Sequence, residues 1–121
     1  MKYTYIIEGE TPAKKNSKII TRDKRLLPSK RYAEWHENSM IQLMCQTRPG
    51  RPIEKAVAVR LDFTHGDLRR RDSDNGTSSI MDLLTDAHIL QDDNWQIVQQ
   101  ITVTNNYVKN EPRCRIEIES I

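Results

Sequence analysis

From Val57 to Phe63, the apolar residues Val57, Val59, Leu61 and Phe63 alternate with Ala58, Arg60 and Asp62. Strand side chains point to opposite faces with a period of two, so this run predicts a strand with one face buried. The same alternation opens the chain, where Tyr3, Tyr5 and Ile7 are set against Lys2, Thr4 and Glu8. It also closes the chain, with Cys114, Ile116 and Ile118 set against Arg113, Arg115, Glu117 and Glu119. A further strand is expected with Trp95, Ile97, Ile101 and Val103 in phase, followed by a turn near Asn105 to Pro112. Two stretches carry the helical period instead. Ser29 can cap a helix running to about Thr47, before Pro49-Gly50, with Tyr32, Trp35, Met40, Leu43 and Met44 on its apolar face. A second helix from about Thr77 to Ala87 places Ile80, Leu83, Leu84 and Ala87 on one stripe. The order β-α-β-α-β-β specifies an α+β domain, a mixed sheet covered by two helices. At 121 residues the chain is expected to form a single domain over 1–121.

Several classes are excluded. No apolar run approaches the roughly 18 residues of a membrane span, and Met1 to Tyr5 has no signal-peptide character. Cys45 and Cys114 have no metal-ligand spacing and read as reduced thiols of a cytoplasmic protein. Without a secretory signal, the sequon Asn75-Gly76-Thr77 carries no meaning. His36, His65 and His88 fall on different elements, where packing or surface roles are expected. No nucleophile elbow, P-loop or dinucleotide fingerprint is present.

The net charge of +2 conceals an asymmetry. Between Ala13 and Arg31 lie Lys14, Lys15, Lys18, Arg22, Lys24, Arg25, Lys30 and Arg31 against Asp23 alone, leaving an acidic remainder. The non-periodic stretch from Pro12 to Pro28 reads as one long loop. A cationic loop on an acidic body suits a polyanion, since each phosphate contact releases condensed counterion. It equally suits a solvated surface loop.

Acidic clusters flank the second helix. Asp72 and Asp74 precede it within Arg69-Arg70-Arg71-Asp72-Ser73-Asp74-Asn75, and Asp92-Asp93 follow it. Hard cations such as Mg²⁺ take oxygen ligands, and convergent carboxylates would let one polarise a scissile phosphate. The adjoining arginines would offset the repulsion between such a site and DNA. Each cluster taken alone is also ordinary capping and turn chemistry. An EF-hand is excluded, because the fifth loop position is Gly76 and the twelfth is Leu83. A helix of this length spans roughly 16 Å. The clusters therefore meet only if the flanking loops fold back along the sheet, or if a second subunit joins them.

Arg69-Arg70-Arg71-Asp72-Ser73-Asp74-Asn75, Met81-Asp82-Leu83-Leu84 and Ile89-Leu90-Gln91-Asp92-Asp93 together resemble the RusA-type Holliday-junction resolvases. The likeness covers about Arg69 to Val98 well, and Pro12 to Trp35 more loosely. It implies a RusA-like fold and a small, Mg²⁺-dependent endodeoxyribonuclease of a bacterium or prophage, with Mn²⁺ as an alternative ion. It further implies that Asp72, Asp74 and Asp93 are the catalytic, metal-binding carboxylates, with Asp92 in a lesser role. A homodimer is implied too, one subunit for each of two symmetric nicks in a four-way junction. Lys14, Lys15, Lys18, Arg69, Arg70 and Arg71 are the expected DNA contacts. One position departs from the pattern: Ser78 stands where the family carries a lysine. Either another cation (Lys14, Lys15 or Arg71) supplies that charge, or cleavage is slow, or the chain binds branched DNA without cutting it.

Overall fold

The computed structural model describes residues 1–13, 18–20, 22 and 26–121. Its elements are β1 (Lys2–Glu8), β2 (Lys18–Ile20), β3 (Leu26–Pro28), α1 (Lys30–Met44), β4 (Val57–His65), α2 (Thr77–Asp86), β5 (Val98–Tyr107) and β6 (Arg113–Ser120). Four strands form one sheet in the order β1-β6-β4-β5. β4 and β5 run parallel, as the α2 crossover between them requires, and the other pairs are antiparallel. The fold is the α+β arrangement expected from the residue pattern.

Register explains why alternation was so clear. Tyr5 pairs with Ile116, which pairs in turn with Leu61, and Leu61 pairs with Val103. One sheet face is thus a continuous apolar layer, and Tyr5, Ile7, Leu61, Cys114, Ile116 and Ile118 are fully buried in it. Against this layer pack Tyr32, Trp35 and Leu43 of α1 and the stripe Ile80, Leu83 and Leu84 of α2. The other face carries charge, including Arg115 bonded to Glu117 at 2.6 Å and Arg60 to Asp62 at 3.0 Å.

Ser29 caps α1 by accepting a hydrogen bond from the Tyr32 amide at 3.2 Å. The helix also closes the sheet edge at β1. Gln46 Oε1 accepts from the Ile6 amide at 3.0 Å, and its Nε2 donates to the Ile6 carbonyl at 2.9 Å. Gln42 Oε1 accepts from the Glu8 amide at 2.7 Å.

Three local expectations are corrected. The stretch read as one loop from Pro12 to Pro28 contains a two-stranded ribbon, Ile19 of β2 pairing with Leu27 of β3. Such short pieces carry no periodicity to detect. Met44 is 63% exposed, because it ends α1 one residue after the fully buried Leu43 and points away from the core. Trp95 lies before β5 rather than on it and is 74% exposed, while Ile97 and Val98 enter the core.

Candidate active site and nucleic-acid interface

β4 ends at His65, and residues 66–76 lead from it to α2. A circuit of polar contacts holds this arginine- and aspartate-rich loop. Asp67 Oδ1 accepts from the Arg69 amide and from Arg71 Nη2, both at 2.9 Å. Those two donors, the backbone one foremost, hold the Asp67 carboxyl below the usual carboxylate range. Arg71 Nη2 also lies 3.0 Å from Glu10 Oε1, a charge contact without aligned hydrogen-bond geometry. The other Glu10 oxygen is 2.9 Å from His65 Nδ1, and His65 Nε2 is 2.8 Å from Asn105 Oδ1. Asn105 Nδ2 donates to the Ser73 carbonyl at 2.8 Å. The contacts thus run from Asp67 through Arg71, Glu10, His65 and Asn105 back to the loop, between Asp72 and Asp74.

An open cleft of about 440 Å³ lies at the carboxyl ends of β4 and β5, lined by His65, Asp67, Arg69, Asp72, Ser73 and Asn105 among others. The carboxyl end of parallel strands is where open sheets with crossover helices commonly place ligands. A smaller recess of about 190 Å³ lies against Thr11, Pro12, Arg31, Arg69, Arg70 and Asn75. Arg69 and Arg70 are exposed, whereas the Arg71 side chain is only 11% exposed and carries the loop's internal ion pairs.

Asp72 and Asp74 are both exposed and form the turn that starts α2: the Asp72 carbonyl accepts from the Asn75 amide, and the Asp74 carbonyl from the Thr77 amide, each at 3.1 Å. No side chain caps α2, whose N-cap residue is Gly76. Close packing dictates that glycine, since a Cβ there would lie 2.8 Å from Thr11 Cγ2 and 2.9 Å from Phe63 Cε1. Ser79, fully buried, donates to the Pro12 carbonyl at 2.6 Å. These two residues tie the helix start to the segment following β1.

On the far side of α2, Ile89 and Leu90 are fully buried, and the Ile53 amide donates to the Ile89 carbonyl at 2.8 Å. That anchor sets the direction of the next loop. Asp92 Oδ1 accepts from the Asp93 amide at 2.8 Å and Oδ2 from Asn94 Nδ2 at 2.9 Å. The Asn94 contact first, then the Asp93 amide, lowers the Asp92 carboxyl. Asp93 behaves oppositely. Partial burial raises its carboxyl, and the negative charges of Asp92 and of Asp82 on α2 push it further in the same direction.

Asp82 thus contributes to the field at Asp93. Among the described residues, however, no three His, Cys, Asp or Glu side chains are grouped so as to hold a metal ion. Asp72 and Asp74 stand on the entry loop, and Asp93 on the exit loop. In donor chemistry the set fits a hard cation, being all carboxylate oxygen, and the like-charge crowding at Asp93 is what a divalent ion would relieve.

Lys18 opens β2, while Lys14 and Lys15 lie outside the described residues. Ser78 is exposed on α2, one turn before Asp82. Sequence reasoning missed Glu10, Asp67 and Asn105. The hydrogen-bond partners of Glu10 and Asn105 lie 32 to 55 residues away, where no local pattern marks them, whereas Asp67 has partners only two and four residues on, at Arg69 and Arg71.

No helix among the described residues is long and apolar enough to cross a membrane. Comparison with the curated proteins finds no match. The family model described as endodeoxyribonuclease RusA matches residues 8–119, nearly the whole chain and all of the circuit and both acidic loops. The chain belongs to the RusA endodeoxyribonuclease family.

Proposed function

We propose that this protein is a divalent-metal-dependent endodeoxyribonuclease that resolves four-way DNA junctions by paired nicks, acting as a homodimer in the cytoplasm of a bacterium or prophage host. Family membership supports the reaction class. The observation that carries the site is the open cleft at the carboxyl ends of β4 and β5, where Asp72 lies beside Arg69, Arg71 and Ser73.

Asp72, Asp74 and Asp93 are the residues we assign to hold Mg²⁺, or Mn²⁺ in its stead. When bound, the ion supplies Lewis acidity toward a phosphodiester. The chain's own residues do the rest. Arg69 and Arg70, with Lys14, Lys15 and Lys18, bind phosphates of the arms and fix the register of the duplex. Arg71 lines the same cleft and, through Glu10 and Asp67, keeps the loop rigid, so that Asp72 and Asp74 need no reordering when DNA arrives.

The test is a labelled synthetic four-way junction incubated with and without Mg²⁺. Metal-dependent paired nicks that vanish in Asp74→Asn support this reading; nicking that persists without metal, or in Asp74→Asn, overturns it. A second reading, a branched-DNA-binding protein that does not cut, is favoured by one observation, the serine at position 78. Tight junction binding with no nicks under any metal would establish it. Ser78→Lys separates limited from absent catalysis: restoring one electrostatic contact is expected to speed cleavage by up to about 10²–10³-fold.

A further inference from the structure

The two edges of the sheet are treated differently. At β1, the side chains of Gln42 and Gln46 occupy the outward amides and carbonyls of Ile6 and Glu8. At β5, no side chain among the described residues is hydrogen-bonded to the strand backbone. β5 is also the longest strand, ten residues from Val98 to Tyr107. Its pairing with β4 skips from Val98 to Gln100, so one bulge lies at its start, and Gln100–Tyr107 then run without interruption.

Edge strands normally carry a charge, a proline or a cover, because a row of free backbone groups is a template for another strand. The run from Val98 to Tyr107 contains neither charge nor proline. The apolar layer of the core also extends onto it: Ile101 pairs with the buried Val59, and Val103 with the buried Leu61. There the cover runs out. Ile101 is 44% exposed, and Trp95, just before the strand, is 74% exposed.

From this we infer that the outer edge of β5 is the surface on which a second copy of this chain docks, the two β5 strands pairing antiparallel about a two-fold axis. Self-pairing sets each strand against an identical one, so any charge near its centre would face its own kind. An uncharged strand meets that requirement. The pairing would satisfy both rows of backbone groups and cover Ile101 on each copy. The inference rests on the homodimer of the proposed function and adds where the two copies meet.

Sedimentation of the full chain, with neither DNA nor metal, tests it apart from cleavage. The wild type is expected at the mass of two chains. Thr102→Glu, at mid-strand on the face away from the helices, is expected to weaken dimerisation at least about tenfold, because like charges across a strand pair repel. Mixing Thr102→Glu with Thr102→Lys chains is expected to restore the dimer, which a merely misfolded variant would not do. A monomeric wild type overturns both the surface and the homodimer. A wild-type dimer that is unaffected by Thr102→Glu, or a mixture that stays monomeric, overturns the surface alone. None of these outcomes bears on whether junctions are cut.

Discussion

The side-chain amide of Asn105 donates to the Ser73 carbonyl at 2.8 Å, fastening the end of β5 to the residue between Asp72 and Asp74. Its oxygen faces His65 at 2.8 Å, so one amide joins the acidic loop to the polar circuit behind it. Residues that orient ligands without touching the ion commonly matter about 10–100-fold in metal affinity. Asn105→Ala is expected to weaken Mg²⁺ activation of junction cleavage by that factor. Its loss of stability, about 1 kcal/mol for the missing hydrogen bonds, should be readable in a denaturant melt.

Arg70 and Arg71 are neighbours with separable tasks. Arg71→Ala strips Glu10 and Asp67 of their common partner and is expected to cost about 1–3 kcal/mol of folding stability. Arg70→Ala should leave stability within about 0.5 kcal/mol, as for an ordinary surface change. It should instead lower the slope of log affinity for junction DNA against log salt by about one phosphate contact. Melting curves and salt titrations of the two variants distinguish these outcomes.

Asp93 is held in a setting that disfavours its charge. Its folded-state carboxyl is raised above the unfolded value of 3.8, so above both values the folded protein bears a penalty for ionising it. That penalty disappears as pH falls through the folded value toward 3.8. Asp93→Asn is therefore expected to raise the melting temperature at pH 7 and to lose this advantage below about pH 4. The same substitution should abolish cleavage and the stabilisation of the protein by added Mg²⁺. Thermal melts across pH, with and without Mg²⁺, read both effects.

Gly76→Ala should destabilise the protein by about 1–3 kcal/mol, since position 76 is the non-helical N-cap of α2 and has no room for a methyl. The added methyl would meet Thr11 and Phe63 at under 3 Å. A stability gain in urea unfolding would refute the close-packing account.

Much of this architecture was readable from residue spacing. The apolar alternation of β1, β4 and β6, the serine cap of α1 and the stripe on α2 all appear where periodicity places them, because each reports burial of a single face. β5 was misjudged at its start, since Trp95 shares the parity of Ile97 yet precedes the strand. Gly76 and Ser79 carry no sequence signal of their roles, which the approach of Thr11 and Pro12 explains. Both acidic clusters were visible as local motifs. The frame behind the first was not, because His65 reaches Glu10 and Asn105 across separations that no local motif encodes.

The glutamines that seal β1 have a consequence for how large an assembly can grow. A sheet with two open edges can accept a partner on each side and propagate without limit, as fibres do. Here Gln42 and Gln46 occupy the outward backbone groups of Ile6 and Glu8 on the β1 edge. Union through β5 would use up that edge of the four-stranded sheet in both copies, and growth through β5 would stop at two.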